Sequence, residues 1–222
     1  MKTILLYITG IFILLTVSMT SGCGSGESRP ETADSIYSAE YINNITIDYP
    51  ERALALLDTA EQKKLLSEFD IAHLRCLAYH NGLMDYKNAL CYGLEAYNMP
   101  ESRQDTKIFL SLLEIIADDY YQNGNYEESV RTCTEGLKLA SDSLLRTKEA
   151  NFYVALAQNL REFGRKDEAY LKLGEAADIL EKEAAGSRQV VNADDYVYSL
   201  GVYIQSLYID GRYRDAIAML PR

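Results

Sequence analysis

The chain has 222 residues, 48% of them hydrophobic, with 33 acidic against 22 basic side chains and a formal charge of −11. An acidic chain with no basic stretch is a poor ligand for nucleic acid. Three cysteines follow position 23, namely Cys76, Cys91 and Cys133, and an odd number does not make a disulfide framework.

The first element in chain order is a targeting segment over residues 1–22. Lys2 supplies a charge, Ile4 to Val17 is almost unbroken apolar, and Thr20-Ser21-Gly22 places small residues before Cys23. An apolar run this short, with small residues at its exit, reads as a signal peptide rather than a membrane span. Residues 23–33 read as a flexible tether, because Gly24 to Thr32 has no apolar residue and is rich in Gly and Ser. The tether has no Lys/Arg cluster, so it adds no electrostatic grip on anionic lipid.

From Ser35 onward the pattern is helical, with no alternating strand pattern of useful length. The unit 34–222 divides at its turns into about five hairpins, the last incomplete. The first pairs Ser35–Asn43 with Pro50–Leu66, where Pro50 suits the first turn of a helix because its missing N–H costs nothing there. The second pairs Glu68–Asn81 with Asp85–Asn98, and the third Thr106–Gln122 with Tyr126–Ala140. The fourth pairs Leu144–Phe163 with Lys166–Ala184, and Glu181–Asn192 is the longest expected connection. The fifth opens with Ala193–Ile209, and its second arm begins at Tyr213. Ala89, Ser129 and Ala169 recur at intervals of 40, and Ala216 follows after 47. Ser129, Ala169 and Ala216 each sit five residues after a glycine, at Gly124, Gly164 and Gly211. A bend that returns at such a period marks a helical repeat array and its extended binding groove rather than one globular core.

Leu113, Ile116, Ala117, Tyr120, Gly124, Tyr126, Ser129, Cys133 and Gly136 resemble, in order and spacing, the signature slots of a tetratricopeptide repeat. Tyr153, Leu156, Ala157, Leu160, Gly164, Ala169, Leu173 and Ala176 repeat the match, and Leu200, Tyr203, Ile204, Leu207, Gly211, Tyr213, Ala216 and Leu220 give a third copy. The second hairpin fits through Tyr86, Ala89, Gly93 and Ala96 but has two extra residues after Gly82. The resemblance implies an all-α fold, a right-handed superhelical array of antiparallel helix hairpins. Small residues such as Ala117, Ser129, Ala157 and Ala169 would let the two arms approach closely. The departures are the long spacings and a closing proline found only at Pro100. Ser21-Gly22-Cys23 resembles a bacterial lipoprotein signal, which implies cleavage before Cys23 and lipidation of it, and hence a cell-envelope location at the outer membrane or periplasmic face. Thr20 stands where that family more often has Leu or Val, and an ordinary signal peptide with an incidental cysteine is the other reading.

In this family the first arms line the concave groove. Glu114, Asp118, Tyr121, Asn151, Gln158, Arg161, Tyr198, Gln205 and Tyr208 fall on that face. They form either a polar, aromatic recognition surface or merely solvated helix faces. The slots that some relatives use to grip a C-terminal carboxylate hold Glu114, Asp118, Val154 and Gln158 here, which lack the cations for that task. Tyr120, Tyr126, Tyr153, Tyr203 and Tyr213 occupy repeat slots and are expected in the core.

Other constellations are weaker. His73, Cys76 and His80 share one helix face and are zinc-capable ligand types without a fourth partner, so no metal or cofactor is expected. Cys133 reads as a small buried hydrophobe. Cys76 and Cys91 lie at matching heights of one hairpin, and a bridge or two free thiols are both open. Asp118-Asp119 and Asp194-Asp195 are adjacent pairs that do not face each other on a helix and are expected in solvent. No catalytic motif is present, so the chain is expected not to be an enzyme. Leu207, Ile217 and Leu220 have no polar capping helix after them, which predicts self-association through the last hairpin or fraying after Ala193. The expectation is a lipid-anchored cell-envelope scaffold or adaptor for a protein or peptide. The alternative is an extracytoplasmic sensor module, because similar arrays precede a membrane helix and a kinase or DNA-binding domain in Bacteroidetes-type regulators.

Overall fold

A computed structural model describes residues 35–186 and 193–218, with side chains placed for 35–183 and 198–218. The signal segment, the tether with Cys23, residues 187–192 and Leu220 lie outside the described residues, as do the side chains of Asp194-Asp195.

After a 3₁₀ turn at Ser35–Tyr37, ten helices follow among the described residues. They are α1 (Ala39–Ile45), α2 (Pro50–Gln62), α3 (Glu68–Leu77), α4 (Tyr86–Asn98), α5 (Thr106–Gln122), α6 (Tyr126–Asp142), α7 (Arg146–Glu162), α8 (Lys166–Gly186), α9 (Ala193–Ile209) and α10 (Tyr213–Ala218). No strand occurs among the described residues. The helices form a right-handed array of antiparallel hairpins. Each helix from α2 to α10 packs on the one before it. First arms also touch first arms, α5 against α7 and α7 against α9, whereas the second arms α6, α8 and α10 make no comparable contact with one another among the described residues. The first arms therefore make one continuous wall.

Local chemistry starts and stops these helices. Side chains of Ser38, Ser67, Asp85 and Asp105 accept hydrogen bonds from backbone N–H groups in the first turns of α1, α3, α4 and α5, satisfying donors that have no partner inside the helix. Three first arms end alike. Gly124, Gly164 and Gly211 adopt φ of 77°, 72° and 74°, and the N–H groups at Gly124 and Asn125 fold back to the carbonyls of Tyr121 and Tyr120. The same two bonds recur at Gly164 and at Gly211. This left-handed cap suits glycine, and it turns the chain into the second arm.

Small residues then set the separation of the arms. Ala117, Ser129, Cys133, Ala157, Ala169, Leu173 and Ala176 are all buried, and Ala157 and Ala169 meet in one cluster with Ala150, Val154 and Leu180. Gly136 is required by its neighbour, since a Cβ there would lie 2.1 Å from Cζ of Phe152. The two extra residues after Gly82 are absorbed in a π-helical turn, Ala78–Leu83, that continues α3. A Cβ on Gly82 would lie 2.3 Å from the Thr46 carbonyl oxygen and 2.5 Å from Cβ of Pro50, so this turn presses on the first hairpin.

Several expectations are corrected. The second arm of the first hairpin stops at Gln62 rather than Leu66, because Lys64 turns left-handed at φ 55°. The first arm of the fourth hairpin starts at Arg146 rather than Leu144, because Leu144 does the same at φ 57°. Helix α8 runs on to Gly186, into the segment expected as a connection. Asp119 is fully buried rather than solvated. Tyr213 is 56% exposed rather than core, because α10 has only six residues and covers little. Of the two readings left open for Cys76 and Cys91, that of free thiols holds, with Cys76 buried and Cys91 exposed.

Two substitutions test this packing. Gly136→Ala drives a methyl into Phe152 and should cost on the order of 1–3 kcal/mol in urea unfolding. Leu144, 70% exposed, loses no burial on replacement, so Leu144→Gly should instead gain about 1 kcal/mol by relieving a left-handed backbone.

Candidate functional site

The wall of α5, α7 and α9 carries the nine residues singled out from sequence. Several are already engaged by neighbouring side chains. Glu114 on α5 pairs with Nζ of Lys148 on α7, and Nδ2 of Asn151 donates to it at 3.0 Å. Lys148 also donates to the Ser111 hydroxyl at 2.9 Å. The Tyr121 hydroxyl donates to Glu162 at 3.1 Å; burial first, and then the Glu162 charge, push its pKa up. Gln158 on α7 lies beside Tyr198 on α9. The wall is thus cross-tied from one first arm to the next.

Arg161 is drawn away from the wall. Its guanidinium grips Asp210 at 2.9 Å, just before the turn into α10. Asp210 also accepts from Lys166 at 2.7 Å and from the Tyr170 hydroxyl at 2.7 Å. The Arg161 bond, with those of Lys166 and Tyr170 against the cost of burial, holds the Asp210 carboxyl far below the usual range. This cluster locks the fifth hairpin onto the fourth.

What remains accessible is a smaller set. Gln205 and Tyr208 are exposed, the Tyr208 ring standing edge-on to Tyr213 at 5.3 Å. Asp118 is half-exposed, accepts from Gln122 at 3.2 Å and lies 3.8 Å from Nε2 of His80. Tyr198 exposes 56% of its surface. Asp118, Tyr198, Gln205 and Tyr208 are the wall residues with surface left for a partner.

Sequence reasoning missed Lys148, Asn159 and the pair His80–Asp119. Their partners lie 34, 30 and 39 residues away in the chain, beyond any local spacing rule. His73, Cys76 and His80 do not converge: His73 stacks on Phe69 at 5.5 Å, Cys76 is buried, and His80 turns to Asp119. Among the described residues no group of three His, Cys, Asp or Glu is placed to hold a metal ion.

No family model and no curated protein matches the chain. Solved structures do. The apo form of RapI superposes with a TM-score of 0.62 at 13% identity, covering 85% of this chain and 52% of that one. The chain thus spans about half the length of RapI. A putative kinesin light chain of Podospora anserina with nearly identical TPR-like repeats superposes with a TM-score of 0.60 at 17% identity, covering 86% of this chain and 93% of that one. The likeness is one of fold, a TPR-like helical repeat.

The Asp210 cluster yields a prediction. Asp210→Ala strands Arg161 beside the Tyr170 hydroxyl, and should cost about 2–3 kcal/mol, read as faster hydrogen exchange in α9 and α10. Because the folded carboxyl is depressed, its contribution is present above the unfolded value of 3.8 and is lost as pH falls below it. The variant should show a shallower loss of stability between pH 4 and pH 2 than the parent.

Proposed function

We propose that this protein is a lipid-anchored cell-envelope scaffold or adaptor whose first-arm wall holds a segment of a partner protein or peptide. The observation that carries the reading is the wall itself. It is one continuous surface of three first arms, cross-tied by its own polar side chains, with Asp118, Tyr198, Gln205 and Tyr208 left accessible. A stiff surface loses little entropy on binding, and tyrosine offers large area with a hydrogen bond at its tip. The anchor rests on the apolar run that ends at Ser21-Gly22-Cys23. The absence of a catalytic motif in the sequence supports a binding role over an enzymatic one.

The last hairpin supplies a second contact. Of the expected edge, Leu207 is buried, but Ile217 is 68% and Ile209 60% exposed, and exposed apolar surface of this kind favours contact with another copy.

Photo-crosslinking residues at Gln205 and Tyr208, compared with Lys138 and Leu171 on the outer arms, test the groove in native envelopes. Adducts should form from the two wall positions and be absent from the outer pair; the reverse distribution rejects the reading. Mass spectrometry of the mature N-terminus should find a lipidated Cys23, and an unmodified Cys23 removes the anchor. Should adducts come instead from a fused domain of the same polypeptide, the array is the sensor part of a longer regulator.

A further inference from the structure

We propose that His80 and Asp119 form a proton-operated latch between the second and third hairpins, closed while the imidazole carries its second proton and loosened when that proton leaves. The geometry comes first. Asp119, on α5, is 0% exposed. Its Oδ1 lies 2.7 Å from Nδ1 of His80, and its Oδ2 has no partner. The other imidazole nitrogen, Nε2, lies 3.8 Å from Asp118. One histidine thus stands between two carboxylates of the neighbouring hairpin.

The segment that presents His80 is itself unusual. It is the π-helical turn Ala78–Leu83, a local geometry seldom retained without a reason. The same turn carries Gly82, pressed on Thr46 and Pro50 of the first hairpin. Three hairpins therefore meet at this turn. The groups that face His80 are Asp118 and Asp119 from α5 and the Tyr86 ring from α4 at 5.8 Å, while the buried Cys76 thiol, on the helix that leads into His80, lies near Asp119. No lysine or arginine acts on His80 or Asp119 among the described residues. The imidazolium is the local positive charge for Asp119.

Protonation decides the state of the joint. With His80 charged, Asp119 has an ion-pair partner. With His80 neutral, Nδ1–H can still donate, but an ionised carboxylate with an open oxygen is left in the core, a costly arrangement. Burial alone would lower the His80 pKa; the Asp119 bond and the Asp119 and Asp118 charges carry it above its ordinary value of 6.5. Burial raises the Asp119 carboxyl, against the His80 bond and charge. A raised folded value means the stabilisation is complete below pH 6.5 and is lost as pH rises through the folded value. Asp118, next in the chain and on the groove wall, is released from His80 as the latch opens. The latch requires nothing of the proposed partner, so the two readings fail separately.

The chain holds only two histidines, and the other is an internal control, because burial lowers the His73 pKa against the Asp70 charge. Imidazole NMR titration of the intact helical chain should give one resonance titrating above 6.5, lost in His80→Gln, and one titrating below. The wild-type melting temperature should fall between pH 6.5 and 8.5, and that fall should flatten in His80→Gln and in Asp119→Asn. A His80 that titrates at or below 6.5 in the wild type, which requires no variant to fold, overturns the latch. So does a His80→Gln variant that keeps the full alkaline fall.

Discussion

One hydroxyl ties three successive helices of this array. Ser129, buried on α6, donates to the Ala117 carbonyl of α5 at 2.7 Å and accepts from Nδ2 of Asn159 on α7 at 2.9 Å. The first bond exists because the arms of a hairpin approach closely at small residues, and the second carries that closeness into the next hairpin. A larger side chain at Ser129 would separate α5 from α6, and an apolar one of equal size would leave one N–H of the Asn159 amide without its partner, the bond to the Ala155 carbonyl remaining. The equivalent residue one repeat later, Ala169, keeps the close approach without the polar tie. There the Arg161–Asp210–Tyr170 cluster takes over, at the edge rather than in the core.

The division between structure and function on the first-arm wall follows from the same economy. A repeat array has no single core, so each junction needs its own glue. Along this wall the glue is polar: Lys148 and Asn151 on Glu114, and Tyr121 on Glu162. Side chains that would look like binding groups on an isolated helix are spent on alignment. What is left over is small, rigid and held in register, which are the properties a recognition surface needs.

Much of the fold was legible because its signals are local. Gly124, Gly164 and Gly211 mark turns that need a left-handed residue, and the small residue five positions on marks the close approach. Leu144 and Lys64 reach the same left-handed conformation without glycine, so the helix ends beside them were misplaced. Asp119 was misread for a different reason. The adjacency rule says that Asp118 and Asp119 do not face each other, and this holds, but it is silent on which of them faces the core. Its partner, His80, lies 39 residues earlier, and only the π-helical turn brings it into reach. The first arms can be placed from their helical pattern, whereas the partition of their side chains into tied and free residues depends on contacts between hairpins that no single-helix pattern encodes.

If the junctions are polar locks rather than simple apolar stacks, the central one should reveal it in a double-mutant cycle. Urea unfolding of Ser129→Ala, Asn159→Leu and the double variant measures their coupling. The account predicts strong non-additivity, with the double variant losing less than the two singles together by about 1–3 kcal/mol, since removing both partners leaves nothing stranded. Additive losses would contradict it, and would mean that the hairpins are aligned by apolar contact alone.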